Sequence, residues 1–92
     1  MDLNELRQQI DAVDRDLIAL LERRLDISAA IGAYKKAHGL PVLDRSREAA
    51  KTEAVKAMCR PATADLIGDL YGPIMAASRA YQTRLTEEND GE

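Results

Sequence analysis

The chain has no tryptophan and no phenylalanine; its only aromatic residues are Tyr34, Tyr71 and Tyr81. A core made from it rests on Leu, Ile, Val, Met and Ala, which suits helix packing better than a β-sandwich. Cys59 is the single cysteine, so no intramolecular disulfide can form and a reducing compartment is expected. No apolar run approaches the ~20 residues that span a bilayer. The polar, acidic start MDLNELRQQID lacks the form of a secretory signal. The expected location is therefore the cytoplasm, with no membrane partner. A formal charge of −3 is not the basic excess of a general nucleic-acid binder. Metal, P-loop and dinucleotide-binding motifs are absent too, so no cofactor or metal is expected. His38 stands alone in a turn, and Cys59 has no nearby histidine to activate it.

What remains is a small chain of 92 residues, one domain in size, with a pronounced periodicity. Leu3, Leu6, Ile10, Val13, Leu17 and Leu20 are followed by Arg24, then Ile27, Ile31 and Tyr34. The steps alternate three and four, a helical stripe at heptad spacing. Asp2 or Asn4 can cap its start, and Gly39, just before Pro41, its end. The spacing predicts one helix over 3–37, about 50 Å long. A compact globule of this size has a radius of gyration of only about 12 Å. A second copy of the chain is the simplest cover for the overhanging stripe. A long coiled-coil dimer without a site is the alternative reading of the stripe alone.

The segment HGLPVLD (38–44) is a turn, with Asp44 as N-cap of a second helix over 45–58. After the break CRPATAD (59–65), a third helix is expected over 63–86, with Thr63 at its start. Ile67, Tyr71, Ile74, Ser78, Tyr81 and Leu85 form its seam, and a kink is expected at Pro73. The remaining tail, TEENDGE, is acidic and expected to fray. The fold class is thus all-α, three helices per chain.

Two seams carry polar interruptions, Arg24 in the first helix and Ser78 in the third. Lys35 lies 11 residues after Arg24, about three turns, and projects from nearly the same face. Gln82 shares the face of Ser78 one turn on, and Asp44 and Glu48 have the same spacing. Each residue has a bland explanation. Arg24 can snorkel, Lys35 can belong to a solvated Lys35–Lys36 pair, Ser78 can be a small contact residue, and Asp44 only a cap. A buried arginine nevertheless needs an anion. Arg24 can find one in Asp14, in Asp26 or in a ligand carboxylate.

The stretches LRQQIDAVDRDLIALLERR (6–24), GAYK (32–35), PVLDRSRE (41–48) and SRAYQ (78–82) together resemble the all-helical class of chorismate mutase. The resemblance implies an intertwined homodimer in which long first helices pair antiparallel around two identical sites. It implies chorismate as substrate, a dicarboxylate with an enolpyruvyl ether and a ring hydroxyl. Rearrangement to prephenate is pericyclic and needs no cofactor, metal or covalent intermediate. By the same resemblance, Arg24 and Arg7 hold the two carboxylates, Arg7 from across the interface. Lys35 and Gln82 donate to the ether oxygen, Glu48 with the Asp44 main chain binds the ring hydroxyl, and Ser78 touches a carboxylate. Arg47 orients Glu48 or adds positive potential. Isochorismate-pyruvate lyase, of the same fold, and a non-catalytic helical dimerisation module are the rival functions.

Overall fold

A computed structural model describes residues 1–90, with side chains described through Glu87. Three helices make up the chain: α1 (Leu3–Ala37), α2 (Arg45–Met58) and α3 (Ala64–Asp90). Among the described residues there is no strand.

Each boundary has a local cause. At the start of α1 the Asp2 carboxylate accepts the Glu5 N–H at 2.9 Å, satisfying one of the orphan donors of the first turn. At its end the Gly39 N–H donates to the Lys36 carbonyl and the Leu40 N–H to the Lys35 carbonyl. This paired closure requires a left-handed residue, and Gly39 supplies it with φ of 65°. The Asp44 carboxylate caps α2, accepting the Arg47 N–H at 3.0 Å and the Ser46 hydroxyl at 2.9 Å. Those donors, the Arg47 N–H foremost, hold the Asp44 carboxyl below the usual carboxylate range. Ahead of α3, the Thr63 carbonyl accepts the Ile67 N–H while its hydroxyl donates back to the Arg60 carbonyl.

Pro73 lies inside α3, where it offers no N–H to the carbonyl one turn back. The kink expected there does not interrupt the helix, which continues to Asp90 rather than stopping near 86. The TEEND part of the tail is therefore helical in backbone; Gly91 and Glu92 lie outside the described residues. Gly68, a poor helix former, is explained by α2. A Cβ there would stand 2.7 Å from Cε of Lys56, whose stem lies across the bare glycine.

The three helices form a slab of 54 × 29 × 14 Å. Its thinnest dimension is little more than one helix diameter of ~10–12 Å, so the chain is a single layer. α3 packs against both α1 and α2, which do not pack against each other. Such a layer has almost no interior, and among the described residues Val55 and Met75 are the only buried apolar side chains. Every residue from Met1 to Leu20 is exposed. The apolar stripe there remains uncovered, from 45% exposed at Leu6 to 63% at Ile10 and Val13.

Candidate active site

The face of α1 turned toward α3 is not its apolar stripe. Ile27, Ile31 and Tyr34 are about half exposed, whereas Leu21, Arg24, Leu25, Ser28, Gly32 and Lys35 are buried or half-buried. Arg24 therefore does more than interrupt a dry seam. It opens a polar line, Arg24, Ser28, Gly32 and Lys35, that recurs at three- and four-residue steps along α1.

Ser78 and Gln82 of α3 meet this line. Arg24 Nη1 donates to Ser78 Oγ at 2.6 Å, and the guanidinium lies 5.8 Å from the Tyr71 ring centroid. Arg24 enters no ion pair among the described residues, so neither Asp14 nor Asp26 neutralises it. One turn along, Gln82 Nε2 donates to Ser28 Oγ at 2.7 Å, and Ser28 Oγ donates to the Ser78 carbonyl at 3.4 Å. Ser28, Ser78 and Gln82 are all buried, so buried polar side chains outnumber buried apolar ones here.

Gln82 Oε1 is buried with no hydrogen-bond partner, a costly state for a polar atom. A hydroxyl both donates and accepts, so turning the amide over would let Ser28 donate to Oε1 in place of its 3.4 Å bond to the Ser78 carbonyl. It would leave the amide NH₂ in need of an acceptor. Gly32 makes room for this amide: a Cβ on it would stand 2.9 Å from Gln82 Cγ.

The remaining residues come from the turn and α2. Lys35 Nζ donates to the Val42 carbonyl at 2.9 Å, which parks it at the lip of the turn. Glu48 Oε1 accepts from Arg79 Nη1 of α3. The cationic neighbour that orients Glu48 is therefore Arg79, from another helix, and not the adjacent Arg47.

These groups surround one open cleft of about 380 Å³. Arg24, Lys35, Asp44, Glu48, Ser78 and Gln82 all line it; Arg7 does not. Arg7 is exposed on the outer half of α1, 17 residues before Arg24, which is about 25 Å along the helix axis. Arg47, Lys51 and Arg79 also border the cleft. Five cationic side chains thus face two anionic ones, a surplus of three positive charges in a chain whose net charge is −3. A drier hollow of about 250 Å³, lined by Leu21, Leu25, Pro73, Ile74 and Ala77, lies along the same helix pair. Arg24 and Ser78 border both spaces.

The chain has counterparts among known proteins. The family described as chorismate mutase type II matches residues 6–83, from the exposed stripe of α1 through Gln82. The chain belongs to the type II chorismate mutase family. It is 37% identical over 85 residues to the T-protein of Haemophilus influenzae, covering 90% of this chain and 22% of that protein. Over 46 residues it is 37% identical to the 4-amino-4-deoxychorismate mutase of Streptomyces venezuelae, covering 50% of this chain and 45% of that one. A solved structure, a conserved hypothetical protein from Pyrococcus furiosus, superimposes with a TM-score of 0.70 at 36% identity. It covers 87% of this chain and 93% of that chain. The chain thus spans less than a quarter of the T-protein it matches.

Ser28, Lys51 and Arg79 are polar cleft residues that the motifs do not single out. Ser28 had a faint signal: it sits one turn after Arg24, on the face that α1 turns toward α3. Arg79 had none, since its partner Glu48 is 31 residues away and on another helix.

Proposed function

We propose that this chain catalyses the rearrangement of chorismate to prephenate, in the making of phenylalanine and tyrosine. The observation that carries the reading is the convergence of Arg24, Lys35, Glu48, Ser78 and Gln82 on one cleft with a positive surplus. Chorismate is a dianion that breaks a carbon–oxygen bond, leaving negative charge on the ether oxygen. Arg24 enters no ion pair among the described residues, so its planar fork is available to a substrate carboxylate. Ser78 Oγ, already bonded to that guanidinium, touches the same carboxylate. Lys35, released from the Val42 carbonyl, and the turned amide of Gln82 donate to the ether oxygen. Each such preorganised donor typically lowers a barrier by about 2.7–4 kcal/mol. Glu48 and the Asp44 main chain receive the ring hydroxyl. Holding the extended substrate in its reactive conformer contributes further, since the reaction is unimolecular and geometric.

The second carboxylate requires Arg7, which stands too far from Arg24 on the same helix to share a small ligand. In the proposed homodimer, two layers stack through their exposed α1 stripes, and Arg7 of one chain enters the cleft of the other. The exposure of that stripe supports this arrangement, because soluble monomers rarely leave long apolar faces uncovered. No helix among the described residues is long and apolar enough to cross a membrane; the cytoplasm is the proposed setting. The Streptomyces relative is named for an analogue of chorismate with an amine in place of a hydroxyl, so that compound is a second substrate to consider.

The test is to incubate the purified chain with chorismate and, separately, with isochorismate, and to identify the products. Prephenate is expected from chorismate. Pyruvate from isochorismate without prephenate from chorismate would assign the lyase reaction instead, and no turnover of either would leave a binding module. Mixing Arg7→Ala with Arg24→Ala chains tests the shared site: one competent cleft per heterodimer should return. Inactive heterodimers refute the sharing.

A further inference from the structure

We propose that Arg79 determines specificity: paired with Glu48, it makes the cleft accept a ring hydroxyl and reject a ring ammonium at the same position. This rests on the mutase reading given above and deepens it.

Arg79 sits between Ser78 and Gln82 on α3 but faces the other way, toward α2, where Nη1 donates to Glu48 Oε1. Both side chains are mostly shielded, at 32% and 25% exposed, so water screens the pair only in part. An arginine-paired carboxylate still has lone pairs on its second oxygen. A neutral hydroxyl can donate to that oxygen without adding charge, and the ion pair stays intact. An aliphatic amine is different. Amines of proteins hold their proton to roughly pH 8–10, so an amine on the substrate ring enters the cleft as a cation. It then meets a carboxylate already neutralised by Arg79, and the Arg79 guanidinium itself at close range. The surplus of three positive charges around the cleft adds to the repulsion. A lone Glu48 would do the opposite and attract the ammonium. Arg79 therefore sets the sign of the discrimination, and the reacting ether is untouched by it.

The charge, rather than the shape, of residue 79 is the operative property. Like charges in a partly shielded cleft interact strongly enough to alter relative rates by about 10- to 100-fold. The experiment compares kcat/KM for chorismate and for 4-amino-4-deoxychorismate on the same preparations of the full chain. The ratio of the two is independent of how much of each preparation is folded. The wild-type chain should prefer chorismate. Arg79→Met and Arg79→Gln should lower the preference at least about 10-fold, and Arg79→Lys should retain most of it. An unchanged ratio in both neutral variants overturns the inference while chorismate turnover by the wild type keeps the mutase reading. Equal or faster use of the amine by the wild type does the same. A wild-type chain that converts neither compound overturns the mutase reading and this inference together.

Discussion

The two halves of α1 invert the usual arrangement of a helix. In the outer half, from Leu3 to Leu20, every apolar residue is exposed. In the inner half, from Leu21 to Ala37, Ser28 is buried and Arg24 and Lys35 are half-buried. Each half is unsatisfied in its own way. The outer one lacks cover for its carbon within the chain; in the inner one Arg24 enters no ion pair among the described residues. The contrast separates what holds the proposed assembly together from what works on a ligand, along one continuous helix.

The inner half should be broken most severely at Arg24. Arg24→Lys keeps the charge but loses the fork, and kcat/KM for chorismate should fall about 10²–10³-fold, the usual cost of one preorganised group. Gln82→Glu comes next and carries a pH signature. A carboxyl donates only while protonated, so activity should be confined to acid solution and lost as pH rises through its pKa. The wild-type amide should give a profile that is roughly flat across neutral pH. Equal activity of the variant at about pH 5 and 8 would remove Gln82 from the ether oxygen. Gly32→Ala separates stability from activity. Its Cβ would lie 2.9 Å from Gln82 Cγ, forcing that side chain aside, and a misplaced donor can cost about 10²-fold in rate. The helix itself gains about 1 kcal/mol from the glycine replacement, so thermal unfolding should change little while turnover drops.

In the outer half the expected effects are on association. Val13→Glu places a charge in the uncovered stripe. Sedimentation should show the dimer constant weakened by about tenfold or more, with turnover per assembled dimer close to wild type. A loss of turnover in intact dimers would contradict the division between the halves. The mildest effect is expected at the cap of α2. The Asp44 carboxyl is held below its usual range in the folded chain. Its contribution to stability is therefore complete above the unfolded value of about 3.9 and lost as pH falls through the lower folded value. Far-UV circular dichroism below about pH 4 should record slight fraying in the wild type, with Asp44→Asn less sensitive to acid.

Much of this was legible because it is local. The ends of α1 and α2 follow from Asp2, Gly39 and Asp44, whose side chain or missing side chain acts within a few residues. The spacings of Arg24 with Lys35 and of Ser78 with Gln82 likewise survive folding, because a helix fixes them. What a single sequence conceals is rotation and partnership. Ile27 and Ile31 look like the inward face of α1 until α3 is seen to pack beside them, on Ser28 and Gly32. The Glu48–Arg79 pair needs two helices brought together across 31 positions, and no local pattern encodes that. The reach of Pro73 was legible only in part. Its lost hydrogen bond is certain, yet the segment beyond it still delivers Ser78 and Gln82 to α1.

The 14 Å thickness of the slab has a kinetic consequence. In the proposed assembly a working cleft exists only where two layers meet, so catalytic capacity is itself the product of a bimolecular encounter. Well below the dimer constant, initial velocity should scale with the square of the chain concentration; well above it, with the first power. A tenfold dilution in the first regime would cost about a hundredfold in rate. Chorismate, by binding across both chains, would pull the encounter forward and make the order in enzyme fall as substrate rises.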